Sequence, residues 1–189
     1  MKKWLVVVGL AAALALPALA DTTVWTIDPN HANAQFFVKH LGISTVQGEF
    51  TKVTGTITID NSDITKSTVD VTIPADTVYT RVAMRDNDLK SQHFLDVAQY
   101  PTITFKSTKI TKTGDDTYDV TGDLTIRGVT KPVTLKVSDL SKPIQAMGGW
   151  RRGVSATTTI NRQDFGVSAD PGMVGDEIHI LIDLEMTHK

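Results

Sequence analysis

From residue 32 onward the chain alternates apolar and polar positions with a period of two. Ala32, Ala34, Phe36, Val38 and His40 share one parity against Asn33, Gln35, Phe37, Lys39 and Leu41. Val46, Gly48 and Phe50 repeat it, and Gly55, Ile57 and Ile59 oppose Thr54, Thr56 and Thr58. The pattern returns at Val69-Val71-Ile73, Ile103-Phe105, Tyr118-Val120-Gly122-Leu124-Ile126 and Val133-Leu135-Val137. It closes with Val154-Ala156-Thr158-Ile160 and Ile178-Ile180-Ile182-Leu184-Met186. One apolar and one polar face per segment predicts antiparallel sheet with one side buried. The abundant Thr and Val agree, because β-branched side chains suit a pleated surface. Turn-forming residues at 60–63, 113–116, 127–130 and 170–172 separate the runs where hairpins need them. About eight strands in this spacing predict an all-β barrel or sandwich.

One stretch breaks the rhythm. Residues 81–95 offer only an irregular apolar face of Val82, Leu89, Phe94 and Leu95, and predict one or two short helices in a long connection, with Thr80 as a cap. Pro101 then forces Tyr100 into an extended conformation and returns the chain to a strand. No repeat, linker or low-complexity stretch divides residues 21–189, which are expected to form one domain.

The first twenty residues are expected to be an address. Lys2 and Lys3 precede an apolar run from Trp4 to Leu16, Pro17 breaks it, and Ala18-Leu19-Ala20 has the small–any–small pattern of a signal-peptidase site. The run is about 13 residues, short of the roughly 20 that span a bilayer. Residue 21 is Asp, which offers no sulfur for a lipid anchor. Cleavage after Ala20 predicts export to the periplasm and leaves 17 basic against 21 acidic side chains, a net charge of −4. That balance, with no long basic run, argues against a nucleic-acid partner. The absence of cysteine excludes thiolate catalysis, Cys-ligated zinc and iron–sulfur chemistry. A chain this long buries enough surface in one core to fold without staples.

Catalytic signatures are equally scarce. The five histidines (His31, His40, His93, His179 and His188) are scattered, and no pair has a short metal-ligand spacing. Strand parity puts His179 on the polar face with Asp183. No Gly-x-Ser-x-Gly elbow, phosphate-cradling loop or dinucleotide fingerprint occurs. Asp86-Asn87-Asp88 starts like a calcium loop but lacks its Gly and closing Glu. Asp115-Asp116 falls in an expected hairpin turn, where exposed acids are ordinary. Catalysis thus has nothing in its favour in these motifs, and neither a metal nor a cofactor is expected.

A closed sheet of about eight strands has an interior wide enough either to be filled by side chains or to hold one small ligand. Small residues interrupt the apolar face at Ala32, Ala34, Gly48, Gly55, Gly122 and Ala156. They relieve crowding in a filled core, or they leave a channel between Phe36, Phe50, Phe105, Leu124 and Ile180; composition leaves both readings open.

The chain resembles the YceI family of periplasmic polyisoprenoid-binding proteins over essentially all of residues 21–189. The resemblance begins with Trp25-Thr-Ile-Asp28-Pro-Asn-His31, Phe36-Phe-Val-Lys-His40 and Val46-Gln-Gly48-Glu-Phe50. It continues through Arg85-Asp-Asn-Asp-Leu89-Lys-Ser91, Phe94-Leu-Asp96 and Tyr100-Pro-Thr-Ile-Thr-Phe105. It ends with Val120-Thr-Gly122-Asp-Leu124-Thr-Ile126-Arg-Gly128-Val-Thr130-Lys131, Asn161-Arg162-Gln-Asp164-Phe165-Gly166 and Val174-Gly175-Asp176. Two positions depart from the family pattern: Ala32 stands where Ser is frequent, and His93 where an acidic residue is common.

The resemblance implies an extended, lipocalin-like antiparallel barrel, non-catalytic and homodimeric. Its interior would bind a polyisoprenoid or an isoprenoid quinone for transport, storage or sensing, with transient membrane contact. The implied tunnel wall is Phe36, Val38, Phe50, Ile57, Val71 and Met84, with Phe94, Phe105, Leu124, Ile126, Phe165 and Ile180. His31, Arg81 and Arg85 are the head-group candidates, and Arg127, Arg151 and Arg152 are further diphosphate-suited side chains. Two alternatives stand beside the carrier: an enzyme gripping an apolar substrate in the same barrel, with His31 as its first candidate, and a solid-core interaction module.

Overall fold

A computed structural model describes residues 21–189; the expected leader, residues 1–20, lies outside the described residues. The alternating runs form β1 (Thr22–His40), β2 (Ser44–Phe50), β3 (Thr54–Asp60), β4 (Thr68–Pro74) and the two-residue β5 (Val78–Tyr79). After α1 (Ala83–Lys90) come β6 (Thr102–Gly114), β7 (Thr117–Ile126), β8 (Val129–Ser138), the short β9 (Ile144–Ala146), β10 (Gly149–Asn161) and β11 (Val174–His188). All pairings between these strands are antiparallel.

Strands β1, β3, β4, β6, β7, β8, β10 and β11 follow one another around the sheet, and β11 pairs back onto β1, closing a barrel. The fold is therefore the eight-stranded antiparallel barrel expected, with extra strands and one helix. The first strand is longer than its alternation indicated. Its register against β11 slips between Ile27 and Ala32, so Asp28-Pro-Asn-His31 bulges out. The segment before the bulge pairs with β3 and the segment after it with β2. One strand thus serves two neighbours in turn. Thr23, Trp25 and Ile27 alternate with Thr22, Val24 and Thr26 before the bulge, which breaks the parity between that run and the one that starts at Ala32.

The wall is uneven. β8 and β10 pair over only three positions, Ser155↔Ser138, Ala156↔Val137 and Thr157↔Lys136. The 3-10 turn Arg162–Phe165 packs against β8 and buries Phe165 to 2% exposure. At the other end, Trp25, Ile59 and Met186 form a tight plug, and the Arg152 guanidinium lies 5.8 Å over the Trp25 ring.

The connection at 81–95 holds one α-helix, as the loss of alternation indicated, but Thr80 does not cap it. Val82 occupies the N-cap position without a side-chain hydrogen bond. Thr80 is instead buried: its N–H and Oγ1–H both donate to the Asp86 carboxylate (2.8 and 2.5 Å), and Arg85 Nε donates to its Oγ1. The helix is anchored by this polar knot. Its own apolar contribution is small, since only Asp86 is buried within it.

Candidate functional site

The small residues on the apolar face do more than one job. Gly48 lies beneath the Phe36 ring, with the Thr80 methyl beside it, and Gly122 lies beneath the Phe105 ring. A Cβ at either position would collide with the ring, so each glycine lets an aromatic side chain lie back against the wall instead of across the lumen. Ala34 and Ala156 stand in the wall directly. The chain closes on Gly55 differently, since the Asp70 carbonyl approaches it from the neighbouring strand.

What the rings vacate is an internal cavity of about 270 Å³. Its wall on β11 runs from Val174 to Leu184, about 34 Å of extended strand and roughly 25 Å along the axis of a barrel with tilted strands. The space is long and narrow. Burial along the strands agrees: Ile178, Ile180 and Ile182 point inward and line the cavity, yet each is only half-buried. Phe36, Phe50, Ile126 and Leu135 behave alike. A residue that points into a filled core loses its accessible surface to its neighbours; these keep theirs because they face empty space.

The structure brings eleven of the twelve expected wall residues onto this cavity: Phe36, Val38, Phe50, Ile57, Val71, Phe94, Phe105, Leu124, Ile126, Phe165 and Ile180. Met84 does not join them. It is 82% exposed on α1, a helix with no apolar periodicity from which a facing could be read. The wall also recruits residues that strand parity alone left unassigned, among them Leu89 and Leu95 from the connection and Val167 from the loop before β11.

None of the head-group candidates lines the cavity. His31 sits on the outside of the β1 bulge, where its Nδ1 meets Asp28 at 3.1 Å. Arg85 donates to the hydroxyl and the carbonyl of Thr80, and Arg81 is exposed ahead of α1. The other arginines are committed to structure. Arg127 donates to the carbonyls of Gly166 and Gln92, Arg151 to Asp28 and Glu185, and Arg152 to the Ser141 carbonyl.

The charged residue in the wall is one the sequence reading passed over. Arg162 is 4% exposed, and its fork is fully occupied: Nε donates to the Gly175 carbonyl, Nη1 to Val167 and Ala169, and Nη2 to Val174, all between 2.7 and 2.9 Å. Asp176 stands 3.1 Å from Nη2. No donor is left for a ligand. Arg162 instead gathers the loop that leads into β11 and holds it over the α1 end of the barrel. The inward Thr158 hydroxyl is likewise committed, to the Thr134 carbonyl. Gln35 and Thr104 also border the cavity but stand on the polar parity of their strands, Gln35 paired with Gln47; what the wall offers is hydrocarbon, and among the described residues it includes no His, Asp, Glu, Ser or Tyr.

Two imidazole–carboxylate groups lie outside the cavity, Asp28–His31–Glu185 and Asp88–His93–Asp170. In the first, the Arg151 guanidinium already occupies the cation position. That guanidinium, with the Asn30 N–H and the His31 ring, holds the Asp28 carboxyl at about 2. A depressed folded-state pKa stabilises the fold at pH values above the ordinary carboxylate range. The contribution is lost as pH falls from about 4 through about 2. Arg151→Met is expected to return Asp28 towards the ordinary value, read by NMR titration of the carboxyl carbon, and to raise the midpoint of acid unfolding. An unmoved Asp28 titration contradicts this account of the pair.

A family model described as the YceI-like domain matches residues 25–186. A UPF0312 protein of Pseudomonas paraeruginosa is 38% identical over 187 residues, covering 98% of this chain and 97% of its own length. Among solved structures, the YceI protein of Campylobacter jejuni is 32% identical with a TM-score of 0.71, over 80% of this chain and 90% of that one. A polyisoprenoid-binding domain from Saccharophagus degradans, implicated in plant cell wall breakdown, shares the fold at 13% identity. Its TM-score is 0.67 over 88% of this chain and 99% of that one.

Proposed function

This chain belongs to the YceI-like family, and from that premise we propose that it carries a long isoprenoid chain, a polyisoprenoid or the tail of an isoprenoid quinone, inside its barrel. The observation that carries the reading is the long, thin, hydrocarbon-walled cavity. A compact ligand would leave most of such a lumen empty, whereas a flexible chain fills it along its length. The proposal extends to export by a cleaved leader, to action in the periplasm, and to a homodimer. Those rest on the leader pattern and on the resemblance.

Magnitudes fix what kind of carrier this is. A tail of roughly 40 carbons at about 0.8 kcal/mol per buried CH₂ gains about 30 kcal/mol on leaving water. That exceeds the roughly 18–21 kcal/mol ceiling of noncovalent affinity, so such a lipid is never free in solution. The protein competes with a membrane for it. A wall without free polar groups suits that competition, because every buried donor left unpaired against a hydrocarbon tail carries a penalty. The same wall favours binding over turnover.

Native mass spectrometry of protein purified from its own host tests the proposal. The expected spectrum carries a mass increment that dissociates as an isoprenoid. Preparations that repeatedly fly as bare protein, from cells whose membranes contain such lipids, overturn it.

A further inference from the structure

We propose that the lumen is a blind tunnel whose floor, the Val154–Leu184 layer backed by the Trp25–Met186 plug, sets how long an isoprenoid tail the barrel accepts. The inference rests on the lipid-carrier reading and adds to it a length selectivity and a direction for the bound chain.

Burial along the strands locates the floor. On β11 the inward Ile178, Ile180 and Ile182 are half-buried, Leu184 is 8% exposed and Met186 1%. On β3 Ile57 is half-buried, and Ile59, one pleat further on, is 4% exposed. Trp25, the β1 partner of Ile57, is as deeply buried as Ile59. Ile57, Val154 and Leu184 line the cavity, and Val154 and Leu184 are partners across the ladder. Trp25, Ile59 and Met186 do not line it, although Ile57 and Val154 pack against them. Vacant space thus gives way to close packing at one level of the barrel, within a pleat of Leu184.

The two ends are closed by different means. Leu184 and Met186 are held in the ladder on both sides, by β1 and by β10. At the other end the covering side chains Leu89, Phe94, Leu95 and Val167 come from the α1 connection and the loop before β11, outside the ladders. Segments outside a sheet open at lower cost than its paired strands. The tail therefore enters at the α1 end and its apolar tip comes to rest on the floor. Whatever polar group ends the lipid stays behind at the α1 end.

Length selection follows from the closed floor. Carbons that find no room in the lumen are left in water at the entrance, and each methylene so excluded forgoes about a fourfold gain in binding. Moving the floor by one pleat displaces it roughly 5 Å along the axis at the tilt of barrel strands, about the length of one isoprene unit.

The test loads the protein from vesicles that contain a ladder of prenyl alcohols from farnesol to solanesol, and reads the bound lengths by native mass spectrometry. Val154 is half-buried against vacant space, so Val154→Phe raises the floor without removing any packing. It is expected to shift the bound lengths down by about one isoprene unit. Leu184→Ala lowers the floor and is expected to enrich longer chains about fourfold for each further methylene admitted. Thermal melts check both folds, and Val154→Phe decides alone where Leu184→Ala does not fold.

Opposite shifts in the two variants support the floor. Folded Val154→Phe protein with the wild-type distribution overturns it while the bound lipid upholds the carrier, and an equal loss of every length does the same. Wild-type protein that takes up no prenyl alcohol of any length sinks the carrier reading, and the floor with it.

Discussion

Ile180→Trp is expected to empty the barrel of lipid without unfolding it. Ile180 points inward from β11 between Phe36 and Thr158, its cross-strand partners on β1 and β10. It is half-buried although it faces the lumen. An indole there projects into space that is already vacant, so the usual cost of overpacking, about 1–3 kcal/mol in a filled core, does not arise. The bound chain is displaced from the middle of its path. Losing contact with even two methylenes is worth about 1.6 kcal/mol, more than a tenfold change in affinity. Lipid per protein should fall by more than about tenfold while the melting temperature holds or rises. Full lipid occupancy in a folded Ile180→Trp protein contradicts binding in the lumen.

Arg162→Leu is expected to have the largest effect on stability. The native guanidinium satisfies four backbone carbonyls and one carboxylate from a nearly inaccessible position. Leucine fills similar volume but donates nothing. Truncating one partner of a buried charged network costs about 3–5 kcal/mol, which for a chain of this size lowers the melting temperature by roughly 6–20 °C. Arg162→Lys is expected to recover less than half of the loss, because a single ammonium cannot reproduce the planar fork. Hydrogen exchange should show the loop before β11 opening first. A loss below about 1 kcal/mol by denaturant unfolding would mean that Arg162 does not organise this end of the barrel.

The sequence exposed the wall and concealed the ends. Period-two alternation decides which face a strand residue takes, so parity alone sent Phe36, Phe105 and Ile180 inward and His179 outward. Where the chain leaves regular sheet that rule has nothing to act on. Met84 was misplaced because α1 has no apolar stripe, and Thr80 because its partner Asp86 is fixed by a fold-specific approach rather than by capping. The bulge at Asp28–His31 broke the parity between the Trp25–Ile27 run and the one that starts at Ala32, so the two were not read as one strand.

Arg162 was legible only in part. Asn161, which accepts the Gln163 N–H, marks the start of the 3-10 turn. The four carbonyls that Arg162 gathers come from residues 167–175, brought beside it by the closure of β10 onto β11. Composition could not decide between a filled core and a channel, because the same small residues serve both. The structure separates the two: the Phe36 and Phe105 rings lie over glycines and leave the axis open.

An electron-density map of protein crystallised directly from its own host tests the central claim most directly. The account predicts continuous elongated density along β11 between the levels of Val174 and Leu184, passing Ile180. Side chains meeting across the axis over that whole length, with no passage wide enough for a methylene chain, would contradict it.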